Sequence, residues 1–353
     1  MEIWVSPENT KANNQKGKDV KMKSIRKIMA MLLAAVFVFM GASQMQTKEV
    51  SAAAAVKGTW VSFLDIQTML RGKPQGAFDQ SFQTICATVA ANGGNAVFVH
   101  VRSHNDAIYP SNIYPWSTQM LNGANPGFDP LADMVQIAHA SGLKFHAWIN
   151  PYGFRNGAYA GNAALANNAN IVAGVAEIVT KYPVDGIHFD DYFPPLGAAN
   201  LNSMIAQVHQ VCAANGKVFG IAPQGNVENN LRMGADVATW LSVPGYIDYI
   251  APQIYWTDNY GAGANVAMSS QRLAQWRGLN KIGIPMYVGM ALYRCGSPVA
   301  GDPGWMRANN NLALQAQKAA SLGYSGYILY NATSELMPNA GQQAELANLR
   351  AAW

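Results

Sequence analysis

The chain has 353 residues, half of them hydrophobic and 12% charged. That balance supports a sizeable core in one large or two small domains and excludes a disordered polymer. Residues 1–52 hold eight Lys/Arg and four Asp/Glu of the 24 and 20 in the chain, which leaves 16 of each sign for residues 53–353 despite a formal net charge of +4. A neutral body has no basic field to hold nucleic acid or an anionic membrane, so neither is an expected partner.

Residues 1–55 read as an N-terminal extension and a secretory signal. Met22 opens the basic stretch Met22-Lys-Ser-Ile-Arg-Lys27, an apolar run extends from Ile28 to Ala42, and small residues follow at Ser51-Ala-Ala-Ala-Ala55. Basic, apolar, then small is the layout of an export signal, with Met22 as the true start. The apolar run is too short to cross a bilayer comfortably, and an uncleaved anchor is the alternative. The mature protein is expected to be secreted or associated with a bacterial cell envelope, with no stable membrane insertion. Cys86, Cys212 and Cys295 are too widely spaced for a disulfide framework.

From Lys57 onward a short apolar run, a loop and an amphipathic stretch recur. The runs are Gly58–Leu64, Asn95–Val101, Lys144–Ile149, Val184–Asp190, Lys217–Ala222, Asp248–Ile254, Ile284–Met290 and Tyr324–Tyr330, each of strand length. Helices are expected over Phe78–Asn92, Pro130–Ser141, Asn170–Tyr182, Asn200–Asn215, Met268–Arg277, Asn310–Leu322 and Gln342–Trp353, several closed by glycine, as at Gly93, Gly142, Gly216 and Gly323. Eight such units predict an α/β fold, a (β/α)₈ TIM barrel, as a single domain over residues 56–353. A doubly wound open sheet would carry a glycine-rich phosphate loop after an early strand, and none is present.

In a TIM barrel, chemistry sits at the C-terminal ends of the strands. Strand four ends in Gly186-Ile-His-Phe-Asp190-Asp191-Tyr192. Alternation aims His188 and Asp190 at the barrel axis, with Asp191 and Tyr192 opening the loop. Adjacent carboxylates repel, so the pair needs a partner or a purpose. The same alternation aims His100 and Arg102 inward, with Asp106 in the loop after them. It also brings Trp148 and Asn150 inward, with Tyr152 following, then Gln253 and Tyr255, with Trp256 on the rim and Tyr293 after strand seven. Rings to cover sugar faces and amides to bond hydroxyls point to a carbohydrate as the partner.

At these residues the chain resembles a known family. Gly58-Thr-Trp-Val-Ser62, Val101-Arg102 with Asp106-Ala-Ile-Tyr109, His146-Ala-Trp-Ile-Asn-Pro-Tyr152, Asp185-Gly-Ile-His-Phe-Asp-Asp-Tyr-Phe193 and Asp248-Tyr-Ile-Ala-Pro-Gln-Ile-Tyr-Trp256 are similar to motifs of the glycosyl hydrolase-like 10 domain. The resemblance runs from about Lys57 to the C-terminus. It implies a TIM barrel and glycosidase activity, with some members associated with peptidoglycan glycan strands. Asp185-Gly-x-x-x-Asp190 is also similar in spacing to the strand-four motif of the alpha-amylase clan, whose final Asp is the nucleophile.

Glycoside hydrolysis needs an anionic carboxylate and an acid for the leaving oxygen. Asp190 is the anionic candidate; for the acid the sequence offers Glu228, Asp191, Asp258 and Glu335. An N-acetylated substrate could instead supply its own amide as the nucleophile, with Asp190 and Asp191 as acid and orienter. No cofactor is expected. Two other classes stay open: a metal-dependent hydrolase or deacetylase built on His100, His146 and His188, and a glycan-binding barrel that cuts nothing.

Overall fold

The computed structural model describes residues 55–353; the expected signal segment lies outside them, Ala55 excepted. Ala55–Trp353 is one compact unit. Its sheet contains eight strands: β1 (Val56–Val61), β2 (Ala96–Arg102), β3 (Lys144–Ile149), β4 (Gly186–Asp190), β5 (Val218–Ala222), β6 (Tyr249–Ile250), β7 (Val288–Met290) and β8 (Gly326–Tyr330). All neighbours are parallel, from β6 through β5, β4, β3, β2 and β1 to β8 and β7. The parallel bridges Ile250↔Met286 and Gln253↔Gly289 join β6 to β7 and close the ring. The expected (β/α)₈ barrel is the observed fold.

Proline shortens two strands. Pro252 and Pro285 have no N–H to give to a ladder, so β6 and β7 are shorter than the apolar runs that contain them. β1 ends early for a different reason. Ser62 caps a helix over Phe63–Leu70, with Asp65 returning a bond to the Ser62 backbone as a capping box. The longer helices match the expected stretches to within a turn: Gln75–Ala91, Pro130–Ala140, Asn168–Lys181, Ala198–Ala214, Met268–Leu279, Asn311–Ser321 and Ala340–Ala352. Among the described residues no helix is long and apolar enough to cross a membrane.

Two apolar layers follow from the period-two alternation of the strands. Val97, Val99, Phe145, Ala147, Ile187, Phe189, Phe219 and Ile221 pack outward against the helices. Trp60, Phe98, Trp148, Tyr249 and Ile328 fill the barrel. Glycine makes room for these rings: a Cβ on Gly220 would lie 2.2 Å from the Tyr249 ring, and one on Gly186 would lie 2.7 Å from His146 Nδ1. At the opposite end from the cleft, one device is used twice. Asp185 accepts from Phe145 N (2.8 Å) and pairs with His139 (2.8 Å), while Asp248 accepts from Phe219 N (2.7 Å) and pairs with His209 (3.1 Å). Each ties a strand start to the preceding strand and helix.

Glu335, in the helix Ala332–Leu336 after β8, is buried and accepts from Thr59 Oγ1 at 2.6 Å and Asn92 Nδ2 at 2.9 Å. Burial raises its carboxyl from 4.5 to about 7. An acid held above its unfolded value binds its proton more tightly when folded. Its stabilising effect is therefore complete below pH 4.5 and is lost as the pH rises through about 7. Denaturant titrations of the wild type should show a loss on the order of 3 kcal/mol from this group between pH 5 and pH 8. Glu335→Gln should flatten that part of the slope whatever its absolute stability; an unchanged slope would refute the assignment.

Candidate functional site

The C-terminal mouth of the barrel holds a cavity of about 200 Å³ lined by Trp60, Phe63, His100, Trp148, Asn150, Arg155, Asp190, Tyr192, Gln253, Tyr255, Tyr293 and Tyr330. β4 carries Asp190 to its wall, where the residue is buried. Asp190 Oδ1 accepts from Gln253 Nε2 (3.1 Å) and from the backbone N–H of Asp191 (2.9 Å). Gln253 is fixed in turn by donating to Ala222 O at 2.9 Å. Three consecutive strand ends, β4, β5 and β6, thus set the position of one carboxyl.

The two acids do not ionise independently. Burial raises Asp190, while bonds from Asp191 and Gln253 and the Arg155 charge pull it back. Asp191 is raised much further, first by burial and then by the neighbouring Asp190 charge. Ionising either carboxyl therefore opposes ionising the other, and the proton is favoured on Asp191 over Asp190.

Below them the barrel is neutral and hydrogen-bonded. Trp60 Nε1 donates to His188 Nε2 (2.9 Å), so His188 Nδ1 carries the proton and donates to Tyr249 Oη (2.9 Å). Tyr249 Oη stands 3.4 Å from His146 Nδ1. His100 accepts from Phe63 N (3.1 Å) at Nδ1 and bonds Asn150 Oδ1 (2.9 Å) through Nε2, with its ring stacked on Trp148 at 3.4 Å. Burial lowers all three histidines, His100 to about 3, His146 to about 4 and His188 well below the ordinary value. His100 and His188 have both ring nitrogens engaged, and among the described residues no group of three or more His, Cys, Asp or Glu could hold a metal ion.

Of the residues expected from the sequence, Asp190, Trp148, Asn150, Tyr192, Gln253, Tyr255 and Tyr293 come together around the cavity. Asp191 adjoins it through Asp190. Trp256 lies beside it, in a groove with Gln224, Gly225 and Arg294 that shares Gln253 and Tyr255 with the cavity. The others do not line it. A register shift between His100 and Arg102 breaks the alternation, so Arg102 is not on the cavity wall: its guanidinium packs 4.2 Å from the Tyr114 ring and donates to Pro151 O (2.9 Å). Asp106 bonds Thr118 N (2.9 Å) at the start of a short helix. Tyr152 donates to Asn168 Oδ1 (2.6 Å) on the outer helix. His188 sits beneath the cavity, in the chain described above.

Three of the four candidate acids are spent elsewhere. Glu228 is exposed in the first turn of the helix Val227–Arg232, where it pairs with Arg272 (3.2 Å) and accepts from Gln275 (2.6 Å). Asp258 accepts from Ser270 N (2.8 Å), and Glu335 is the buried group already described. Among the described residues Asp190 is the only carboxyl lining the cavity.

Trp60, Phe63, Arg155 and Tyr330 line the cavity without having been singled out as site residues. Alternation along β1 and β8 carries the signal for Trp60 and Tyr330. Tyr330 completes a wall with Tyr255 and Tyr293, its ring centroid 6.3 Å from the first and 5.5 Å from the second. Phe63 is placed by the helix that Ser62 caps, and Arg155 by a two-stranded hairpin, Phe154–Arg155 with Ala158–Tyr159. Neither carries a period-two signal.

Comparison with known proteins agrees with this architecture. The chain is 30% identical to "Glycosyl hydrolase YngK" of Bacillus subtilis, the match covering 64% of this chain and 58% of the relative. It is also 30% identical to "Glycosyl hydrolase DigH" of Escherichia coli K12, covering 61% of this chain and 66% of the relative. It thus spans less than two thirds of the length of either. A chitinase structure from Chromobacterium violaceum superposes with a TM-score of 0.53 at 14% identity, covering 84% of this chain and 98% of that one, which is likeness of fold. The family model described as glycosyl hydrolase-like 10 matches residues 55–164 and 196–307, more than half of the chain, with Asp190 and Asp191 between the matched segments. The chain therefore belongs to the glycosyl hydrolase-like 10 family.

Proposed function

We propose that the protein is an exported glycoside hydrolase that cuts the glycan strands of bacterial peptidoglycan, with Asp190 and Asp191 as its catalytic acids. The observation that carries this reading is the pair itself: Asp190 on the wall of a cavity shared with Trp60, Trp148, Tyr255, Tyr293 and Tyr330, and Asp191 directly beside it with its carboxyl the more strongly raised of the two. Aromatic rings cover the C–H faces of sugars, while Gln253 and Asn150 add amides to the same wall. The basic–apolar–small pattern of the N-terminus supports export towards a cell-wall substrate.

The missing second carboxyl favours a substrate-assisted route. A hydrolase with separate nucleophile and acid needs two carboxyls about 5 to 9.5 Å apart across the bond, and among the described residues the cavity wall offers only Asp190. In an N-acetylated sugar, the acetamido oxygen attacks the anomeric carbon as the glycosidic C–O bond breaks. The proton held by the Asp190–Asp191 pair passes to the leaving oxygen. Water then opens the cyclic intermediate at the anomeric carbon, and its proton returns to the pair. Asp191, the more strongly raised of the two, acts here as the proton reservoir.

Incubation with peptide-free glycan strands, with the products read by mass, should release shortened oligosaccharides. Asp190→Asn should lower the rate by about 10²- to 10⁴-fold while the protein stays folded by circular dichroism. Full turnover by that variant, or equal cleavage of strands whose N-acetyl groups have been removed, would reject the mechanism. The Gln253 amide stabilises the Asp190 anion, so Gln253→Leu should move the basic limb of the pH–rate profile to higher pH. A limb that stays in place would show that Gln253 does not tune the pair.

A further inference from the structure

We propose that Arg155 selects a glycan bearing a carboxylate on the sugar held in the cavity. This rests on the glycan-cleaving role proposed for the same cavity and adds a substrate class to it.

The hairpin that carries Arg155 is tied down at its base. Ala160 N donates to Gly153 O (2.8 Å), and Asn105 Nδ2 donates to Ala160 O (3.1 Å). Gly153 has a φ of 59°, and a Cβ there would lie 2.9 Å from Asn105 N, so only glycine allows this approach. The half-buried guanidinium is held between two rings, 4.9 Å from the centroid of Phe63 and 5.1 Å from that of Tyr192. Cation–π contacts of this kind fix a guanidinium without using its N–H groups.

Those donors are unspent. Among the described residues the Arg155 guanidinium has no ion pair and no hydrogen bond, although it shares a cavity with Asp190. The other arginines near the cleft are occupied. Arg294 donates to Tyr293 Oη (2.9 Å) and Tyr255 O (2.7 Å), and Arg272 pairs with Glu228 (3.2 Å). Arg155 is therefore the cavity-lining cation with a free planar fork, the geometry that accepts a carboxylate through two parallel hydrogen bonds. Partial burial makes such a pair stronger than one on the surface. The negative charge on the Asp190–Asp191 pair repels a doubly charged phosphate more than a singly charged carboxylate, which favours the latter. A neutral sugar would offer the guanidinium only hydroxyl oxygens, which accept weaker hydrogen bonds than a bidentate carboxylate does, so the carboxylate is preferred.

The test compares carboxylate-bearing glycan strands with the same strands after chemical reduction of the carboxylates to alcohols. The purified full chain should cleave the native strands with kcat/KM at least about tenfold higher, the scale of one charge-assisted contact. Arg155→Gln should lose that preference by slowing on native strands alone, and Arg155→Lys should keep part of it. No preference in the wild type would overturn the proposal. An equal loss on both substrates in Arg155→Gln would also overturn it, since that marks a role in charge balance of the acid pair or in folding. Should neither substrate be cleaved, the proposed hydrolase substrate fails, and binding still decides the role of Arg155. Asp190→Asn should then bind the carboxylated strands about tenfold more tightly than the reduced ones, and adding Arg155→Gln should erase the difference. Equal binding would overturn the proposal.

Discussion

Two carboxyls at consecutive positions, Asp190 buried on the cavity wall and Asp191 half-buried beside it, oppose each other's ionisation. Much of the mouth of this barrel is arranged around that constraint. The charge is steered to Asp190 by two N–H donors on one oxygen, from Gln253 and from the Asp191 backbone. The proton is left with Asp191, whose carboxyl is raised by burial and by its neighbour. A carboxyl raised well above the ordinary range is hard to obtain in full solvent, and the adjacent pair supplies one beside the cavity.

The barrel interior makes that position rigid. Gly220 and Gly186 open space for Tyr249 and His146, and the rings in turn support a chain of bonds from Trp60 through His188 to Tyr249. Because the histidines are held neutral by burial, they add no charge beneath the acid pair. The floor is thus apolar and hydrogen-bonded, and the acidic pair and Arg155 stand above it. A preorganised site of this kind needs little rearrangement when charge develops on a substrate.

Much of this was legible in the sequence because the barrel repeats one simple rule. Apolar runs of strand length followed by amphipathic stretches led to the eight-stranded ring, and alternation placed Asp190, Trp148, Asn150, Gln253 and Tyr255 at its mouth. The rule failed where the backbone broke its own period. The register shift after His100 turned Arg102 away from the axis, and the loops after β2 and β3 took Asp106 and Tyr152 into structural bonds. Glu228 illustrates a second limit: a carboxyl near a strand end can sit in the first turn of a helix and pair outward with Arg272 as readily as face the cleft. Arg155 shows a third, since a residue on a hairpin has no periodic signal and its position depends on Phe63 and Tyr192, distant in the chain.

The geometry of a single acidic pair has a stereochemical consequence. If the substrate's own acetamido group attacks and water then opens the ring it forms, the anomeric carbon is inverted twice, so its configuration is retained. Proton NMR of the first sugar released, recorded before mutarotation, reads that configuration directly. Retention is the predicted result; an inverted product would mean that water attacks in one step with a carboxylate base elsewhere, and would contradict the account.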